Sequence, residues 1–136
     1  MQSLKLLLDT HTLLWTIGKT GELSKTVARE IKNPNNEILV SAVSLWEIAL
    51  KSSIGKLILD FNITDIPKYC SSMGFALIPL EPIDALNSIQ LPRKNNHKDP
   101  FDRMLIYQCI KNDYILASRD TTVRIYKKDG LKLIWE

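Results

Sequence analysis

The sequence lacks the long apolar runs of a membrane protein, since no stretch approaches the roughly twenty residues that a transmembrane helix needs. Glycine is also scarce, at five of 136 residues, which excludes a collagen-like repeat. With 45% hydrophobic and 24% charged residues, the composition is typical of a folded globular protein and excludes a disordered chain or a fibrous coiled coil. The length predicts one compact domain, 1–136.

Cysteine and leader-like features are scarce as well. The two cysteines, Cys70 and Cys109, lie far apart in apolar stretches and lack a metal-binding spacing such as C-x-x-C. We expect both to be reduced core residues. Only three consecutive leucines precede Asp9, which is too short an apolar run for a signal peptide. These features predict a cytoplasmic protein without a membrane anchor.

The charge of the chain is mildly basic. A net charge of +3 and a pI of about 8.9 are compatible with a nucleic-acid partner but are too small to predict one alone. The densest basic stretch consists of Arg93, Lys94, His97, Lys98 and Arg103.

Apolar residues alternate between short runs and helical spacings. The short runs predict strands near 4–8, 37–40, 75–80, 114–117 and 131–135. Helical spacing between them predicts helices near 13–18, 24–31, 43–55, 62–72, 82–89 and 99–110. This alternation predicts an α/β fold, with a parallel sheet covered by helices on both faces. Such sheets bind ligands beyond the carboxyl ends of their strands.

Four acids stand in apolar surroundings, unlike most of the other acids in the chain. Asp9 and Asp120 follow predicted buried strands, whereas Glu47 and Asp102 lie within apolar helical segments. If the strands are parallel, the ends of the first and fourth strands share one rim with the starts of the following helices. The four acids are therefore candidates for a common site.

A structural role is the alternative for each acid taken alone. Aspartate is a favoured N-cap, which fits Asp9 and Asp120 before predicted helices. Ser44 and Glu47 have the S-x-x-E spacing of a capping box. Asp99 precedes a proline and fits as the cap of the helix that this proline starts.

Convergence of the acids favours a metal site. Three or four carboxylates within a few ångströms repel one another strongly at low dielectric, and a divalent cation removes that repulsion. A ligand set made only of oxygen selects a hard ion such as Mg²⁺ or Mn²⁺. Such ions act mainly on phosphates, where they activate water and neutralise the charge that develops during displacement.

Four blocks of sequence point to a known family: LDTHTLLW at 8–15, VSAVSLWEI at 40–48, HKDPFDRML at 97–105 and LASRD at 116–120. In order and spacing they resemble the PIN-domain ribonucleases and, more narrowly, the VapC-type toxins of bacterial toxin–antitoxin pairs. The resemblance covers nearly the whole chain. It implies a single PIN domain of three layers, in which helices flank a central parallel sheet with a metal-binding edge.

The resemblance also implies roles for individual residues. Asp9, Glu47, Asp102 and Asp120 would be the catalytic metal ligands of an endoribonuclease that uses Mg²⁺, with Mn²⁺ able to substitute. Four further residues would support these acids or contact the substrate, namely Thr10, Asp99, Arg103 and Ser118. We expect Arg103 to pair with a ligand acid, and Asp99 to be a peripheral site residue or a helix cap.

Partners are implied in the same way. The chain would cut RNA, form a homodimer and bind a small antitoxin that lays a helix in an apolar groove, for which Trp15 and Leu50 are candidates. We otherwise interpret Trp15 and Trp46 as core residues, and His11 and His97 as structural. The loop at 92–98 is solvated by default, with contact to an RNA backbone as the alternative.

A second hypothesis is a catalytically silent PIN-like domain that only binds RNA or a protein partner. The presence of all four acids argues against it, since loss of activity is not visible in the sequence. Binding without metal-dependent turnover would distinguish the two.

Overall fold

A five-stranded parallel sheet lies at the centre of the computed structural model, which describes residues 3–94 and 97–136. The strands in chain order are β1 (Lys5–Leu8), β2 (Glu37–Ser41), β3 (Ala76–Ile78), β4 (Ile115–Ala117) and β5 (Lys132–Ile134). They are ordered β3-β2-β1-β4-β5 across the sheet. The central strand β1 therefore pairs with both β2 and β4, and its end faces the end of β4.

Within the described residues, six α-helices connect and cover the strands. They are α1 (Thr10–Gly18), α2 (Lys25–Lys32), α3 (Ala42–Ser53), α4 (Ile66–Ser72), α5 (Pro82–Asn87) and α6 (Pro100–Asn112). Short 3-10 turns cover Thr20–Glu22, Ile63–Asp65 and Ser88–Gln90, and a longer 3-10 segment covers Thr121–Asp129. A proline at the first turn favours the start of α4, α5 and α6.

The sheet separates two apolar layers. Successive side chains of a strand point to opposite faces, so Leu6 and Leu8 pack on one side and Leu7 on the other. One layer contains the buried side of α1, α2 and α4, and the other contains that of α6. Cys70 and Cys109 are buried free thiols, one in each layer, as predicted.

The structure confirms the predicted α/β class and parallel sheet, with elements that differ from the predicted bounds by a few residues. The predicted capping box was wrong. The side chain of Ser41 accepts the hydrogen bond from Val43 N and caps α3, so Ser44 lies inside the helix. The chain turns into α3 directly after β2, one residue earlier than apolar periodicity suggests.

Two predictions extend beyond the described residues. The loop at 92–98 includes residues 95 and 96, and the domain 1–136 includes residues 1 and 2, all of which lie outside the described ranges. Lys94 and Asp129 form an ion pair of 2.9 Å that ties this loop to the long 3-10 segment. In the part of the chain that the structure describes, no helix has the length and apolarity required to cross a membrane.

Candidate active site

Asp9 stands at the junction of the two central strands. It follows β1, and its backbone N–H donates to Ala117 O at the end of β4 over 3.1 Å. Its Oδ1 accepts from Thr12 N at 2.9 Å, so it caps α1 as predicted. Burial raises the pKa of this carboxyl, while hydrogen bonds from Ser118 and Thr12 act in the opposite direction. Asp9 therefore combines a structural cap with a carboxyl in the strand-end position.

Glu47 lies on the inner side of α3 and is only 4% exposed. Its Oε1 is 2.5 Å from Thr10 Oγ1, which also lies 3.1 Å from Ser44 Oγ. Because a threonine hydroxyl has one hydrogen, Thr10 donates to the carboxylate and accepts from Ser44. The other carboxylate oxygen accepts from the Lys51 ammonium, one turn further along α3. These contacts hold a buried carboxylate at the carboxyl edge of the sheet.

Asp102 lies in the first turn of α6. Its backbone N–H donates to Asp99 Oδ1 at 2.9 Å, which makes Asp99 the N-cap of this helix. Burial, followed by repulsion from Asp99, Glu47, Asp9 and Asp120, raises the pKa of Asp102 to about 7. The charges of the other three predicted acids therefore reach Asp102.

Asp120 completes the set from the segment after β4. Its Oδ1 accepts from Thr122 N at 2.9 Å and from Thr122 Oγ1 at 2.8 Å, so it caps the long 3-10 segment. Its own N–H donates to Ser118 Oγ at 3.1 Å. A cleft of about 300 Å³ lies beside it, lined by Asp9, His11, Trp15, Arg119 and Asp120.

The donor chemistry of these acids fits a hard divalent cation. All the candidate ligands are oxygens, and the mutual repulsion at Asp102 is the kind that such an ion relieves. Within residues 3–94 and 97–136, no group of three or more His, Cys, Asp or Glu side chains already has the geometry of a metal site. The acids thus supply suitable ligands that must still draw closer around an ion.

Lys51 is a site residue that sequence reasoning missed. Its hydrogen bond with Glu47 raises the pKa of the ammonium, partial burial opposes this, and attraction from Asp99 and Asp102 adds to it. The spacing i, i+4 between Glu47 and Lys51 is the signal that predicts such a pair. Lys51 therefore contributes a fixed positive charge beside the acids.

Two sequence predictions about neighbouring residues were wrong. Arg103 does not pair with a ligand acid, because its guanidinium donates to Leu91 O at 2.7 Å, Pro92 O at 3.2 Å and Tyr126 Oη at 3.0 Å. Trp46 is not a core residue, since it is 61% exposed and only its edge packs on Phe101. The inward position of Glu47 turns the neighbouring Trp46 outward on α3.

Comparison with known families and structures gives one consistent result. The sequence profile of a family described as PIN domain matches residues 6–129. No curated protein sequence matches the chain.

Solved structures of similar fold include three VapBC complexes. VapBC from Salmonella typhimurium bound to DNA has a TM-score of 0.66 and 19% identity, covering 96% of this chain and 97% of the other. VapBC2 from Rickettsia felis bound to a promoter DNA fragment has a TM-score of 0.65 and 17% identity, covering 98% of this chain and 100% of the other. VapBC-1 from nontypeable Haemophilus influenzae has a TM-score of 0.63 and 15% identity, covering 96% of this chain and 97% of the other. At this identity the likeness establishes a common fold.

Proposed function

The chain belongs to the PIN domain family, and from this we propose that it is a metal-dependent endoribonuclease and the toxin of a toxin–antitoxin pair. The observation that carries the proposal is the electrostatic site at the carboxyl edge of the sheet. There burial, together with repulsion from Asp99, Glu47, Asp9 and Asp120, raises the pKa of Asp102. Repelling acids of this kind are costly in a fold unless they serve a cation.

In this proposal Asp9, Glu47, Asp102 and Asp120 hold Mg²⁺, or Mn²⁺ in its place. When bound, the ion supplies the charge that activates water and neutralises the negative charge developing on an RNA phosphodiester. Thr10 keeps one oxygen of Glu47 in place through its hydrogen bond. The protein's contribution is therefore to arrange oxygen ligands on rigid strand ends and helix starts.

Neighbouring residues position these acids. Ser118 accepts from the backbone of Asp120 and lowers the pKa of Asp9 by hydrogen bonding, so it links two of the ligands. Asp99 fixes the first turn of α6 as its cap and adds negative charge beside Asp102. We assign Asp99 a supporting role and not that of a ligand.

The fold shared with VapBC complexes supports the proposed toxin role. We propose a small antitoxin as partner, a homodimer as the assembly and the cytoplasm as the compartment, where RNA is available. Along α3 and its C-cap, three apolar side chains are exposed at four-residue intervals, Trp46 at 61%, Leu50 at 43% and Ile54 at 57%. Such a stripe is the kind of surface that an amphipathic partner helix covers.

The nuclease is tested with purified protein, freed of any partner and incubated with total RNA in EDTA, Mg²⁺ or Mn²⁺. We expect discrete fragments that require metal and disappear in Asp9→Asn. Asp113→Asn is the matched control, because Asp113 is exposed at the end of α6 in a left-handed conformation that asparagine also adopts. Cleavage by Asp9→Asn equal to that of the parent would refute the ligand assignment.

The silent binder, a PIN-like domain that binds RNA or a protein partner without cutting RNA, is the alternative. A folded sample that binds RNA without cutting it at saturating Mn²⁺ would establish this alternative. Co-purification with a short protein encoded next to the gene tests the antitoxin separately. If no such partner and no toxicity on expression were found, this would count against the toxin role while leaving the nuclease intact.

A further inference from the structure

The residues that line the cleft beside the acids are of two chemical kinds. Asp9 and Asp120 are acidic, and the others, which we call the second wall, are aromatic or cationic: His11, Trp15 and Arg119. Its volume of about 300 Å³ lies at the small end of the range for ligand pockets, which suits one unit of a polymer better than a large ligand. The aromatic and cationic wall has no role in holding a metal ion.

The second wall is built around Trp15. The Arg119 guanidinium carbon lies 4.4 Å from the centroid of the Trp15 ring, a cation–π stacking distance. Trp135 packs against the same tryptophan at 5.9 Å and 61°, and the His11 ring lies 5.7 Å from it at 41°. Packing from several sides gives Trp15 a fixed orientation next to the acids.

Stacking, and not an ion pair, is the stronger contact of Arg119. Its ion pair with Glu22 is 3.4 Å long, and the two side chains are 55% and 50% exposed, so the pair holds the guanidinium weakly. Arginine is planar and can stack on an aromatic ring with one face while the other stays open. The exposure of Arg119 leaves this group accessible from the cleft.

We propose that Arg119, supported by Trp15, is a stacking platform for the nucleobase that adjoins the scissile phosphate. This rests on the proposed function, since the acids of the same cleft would place that phosphate. Single-stranded RNA is bound by stacking its bases on aromatic rings and guanidinium planes, which accept any base because every base has a π-face. The platform therefore orients one nucleotide without selecting a sequence.

The test uses Asp102→Asn as a cleavage-silent background, because Asp102 does not line this cleft. A fluorescent single-stranded RNA oligonucleotide is titrated in Mg²⁺ and followed by anisotropy, together with a set of oligonucleotides in which each base in turn is abasic. Arg119→Ala and Arg119→Lys are compared with Arg124→Ala, which removes an exposed arginine outside the cleft. The lysine variant keeps the positive charge and lacks the planar guanidinium group.

We expect Arg119→Ala to weaken binding about tenfold, as the loss of one stacked base does, and Arg124→Ala to leave it almost unchanged. Arg119→Lys should recover only part of the loss. One abasic position should weaken binding to the arginine protein by a similar factor and have no further effect on Arg119→Ala.

Full recovery by Arg119→Lys would overturn the platform, since charge alone would then explain the role of Arg119. So would an abasic effect that is equal in the arginine and alanine proteins. Loss of antitoxin binding in Arg119→Ala, with RNA binding intact, would assign the wall to the protein partner and reject the proposal. If the parent protein cuts total RNA but no abasic position changes the binding affinity, the platform is rejected and the proposed function stands. If the parent protein neither binds nor cuts RNA, both the platform and the proposed function are rejected.

Discussion

The Thr10 hydroxyl donates a hydrogen bond of 2.5 Å to the Glu47 carboxylate, which joins α1 to α3 at the acid site although the residues are 37 apart in sequence. Both residues are buried, at 6% and 4% exposure. The bond therefore replaces water for a charged group that has little other access to solvent.

Thr10→Val keeps the shape of the side chain and removes the donor. We expect the free energy of unfolding to fall by about 1–3 kcal/mol, because a buried carboxylate oxygen loses its partner. Thr10→Ser retains the hydroxyl and should lose less than half as much. Urea denaturation monitored by circular dichroism measures both, and a loss in Thr10→Ser with none in Thr10→Val would show that the methyl group, and not the hydroxyl, matters.

Asp102 makes stability depend on pH in a defined direction. Its pKa is raised from 3.8 to about 7 in the folded state, so the folded protein binds more protons than the unfolded chain between these values. In EDTA, stability should therefore fall as pH rises from about 4 to about 7 and then level off.

Asp102→Asn removes this dependence. With Asp102 one-third exposed, we expect the variant to be about 1–2 kcal/mol more stable than the parent at pH 8 in EDTA, and equal to it near pH 4. Excess Mg²⁺ should stabilise the parent more than the variant, since it binds the folded ligands. Urea titrations across pH, with and without Mg²⁺, measure this; a parent that is more stable at pH 8 in EDTA would contradict it.

The strands and the caps at Asp9, Asp99 and Asp120 follow from local sequence, which is why they could be predicted. A cap depends on a short polar side chain before a helix, and a buried strand depends on a short apolar run. The grouping of the acids then followed from the general geometry of parallel sheets.

Side-chain partners that depend on helix rotation could not be predicted. Trp46, Leu50 and Ile54 form an apolar stripe that suggests a buried face, yet α3 buries the side with Ser44 and Glu47. Burial of these polar residues is stabilised in part by hydrogen bonds to Thr10, which lies on another helix.

Arg103 was misassigned for a related reason. Adjacent acids suggested an ion pair, whereas its acceptors are backbone carbonyls of residues 91 and 92 and the distant Tyr126 hydroxyl. The path of that loop is a tertiary feature that spacing does not encode.

Lys51 provides a positive charge that partly offsets the repulsion among the acids in the absence of a metal ion. Removing it as Lys51→Met leaves the nearly buried Glu47 carboxylate with one partner fewer, so we expect a loss of about 1–3 kcal/mol in EDTA. Lys56→Met, on an exposed lysine just beyond α3, is the matched control and should change stability by less than about 0.5 kcal/mol.

Mg²⁺ should restore more stability to Lys51→Met than to the parent, because the ion then supplies the missing charge. Thermal melts with increasing Mg²⁺ measure the difference. An identical Mg²⁺ response in the two proteins would mean that Lys51 does not act on the ion site.

His97 and Tyr126 form a chain of hydrogen bonds whose direction can be worked out. Arg103 can only donate, so Tyr126 Oη accepts from it at 3.0 Å. Tyr126 is fully buried, and its own hydrogen is directed to His97 Nδ1 at 2.8 Å. The proton of a neutral His97 ring then sits on Nε2, which lies 3.6 Å from Asp102 Oδ2.

The expected result is an Nε2–H tautomer at His97, observed as a nitrogen chemical-shift pattern in ¹⁵N NMR, with the exposed His11 as the internal reference. Tyr126→Phe should mix the tautomers of His97, leave His11 unchanged and lower stability by about 1–3 kcal/mol, since it strands the Arg103 donor. A dominant Nδ1–H form in the parent would mean that His97 donates to Tyr126, which reverses this hydrogen bond and leaves no donor on the nitrogen that faces Asp102. Nε2–H in both proteins would instead show that Asp102, and not Tyr126, fixes the ring.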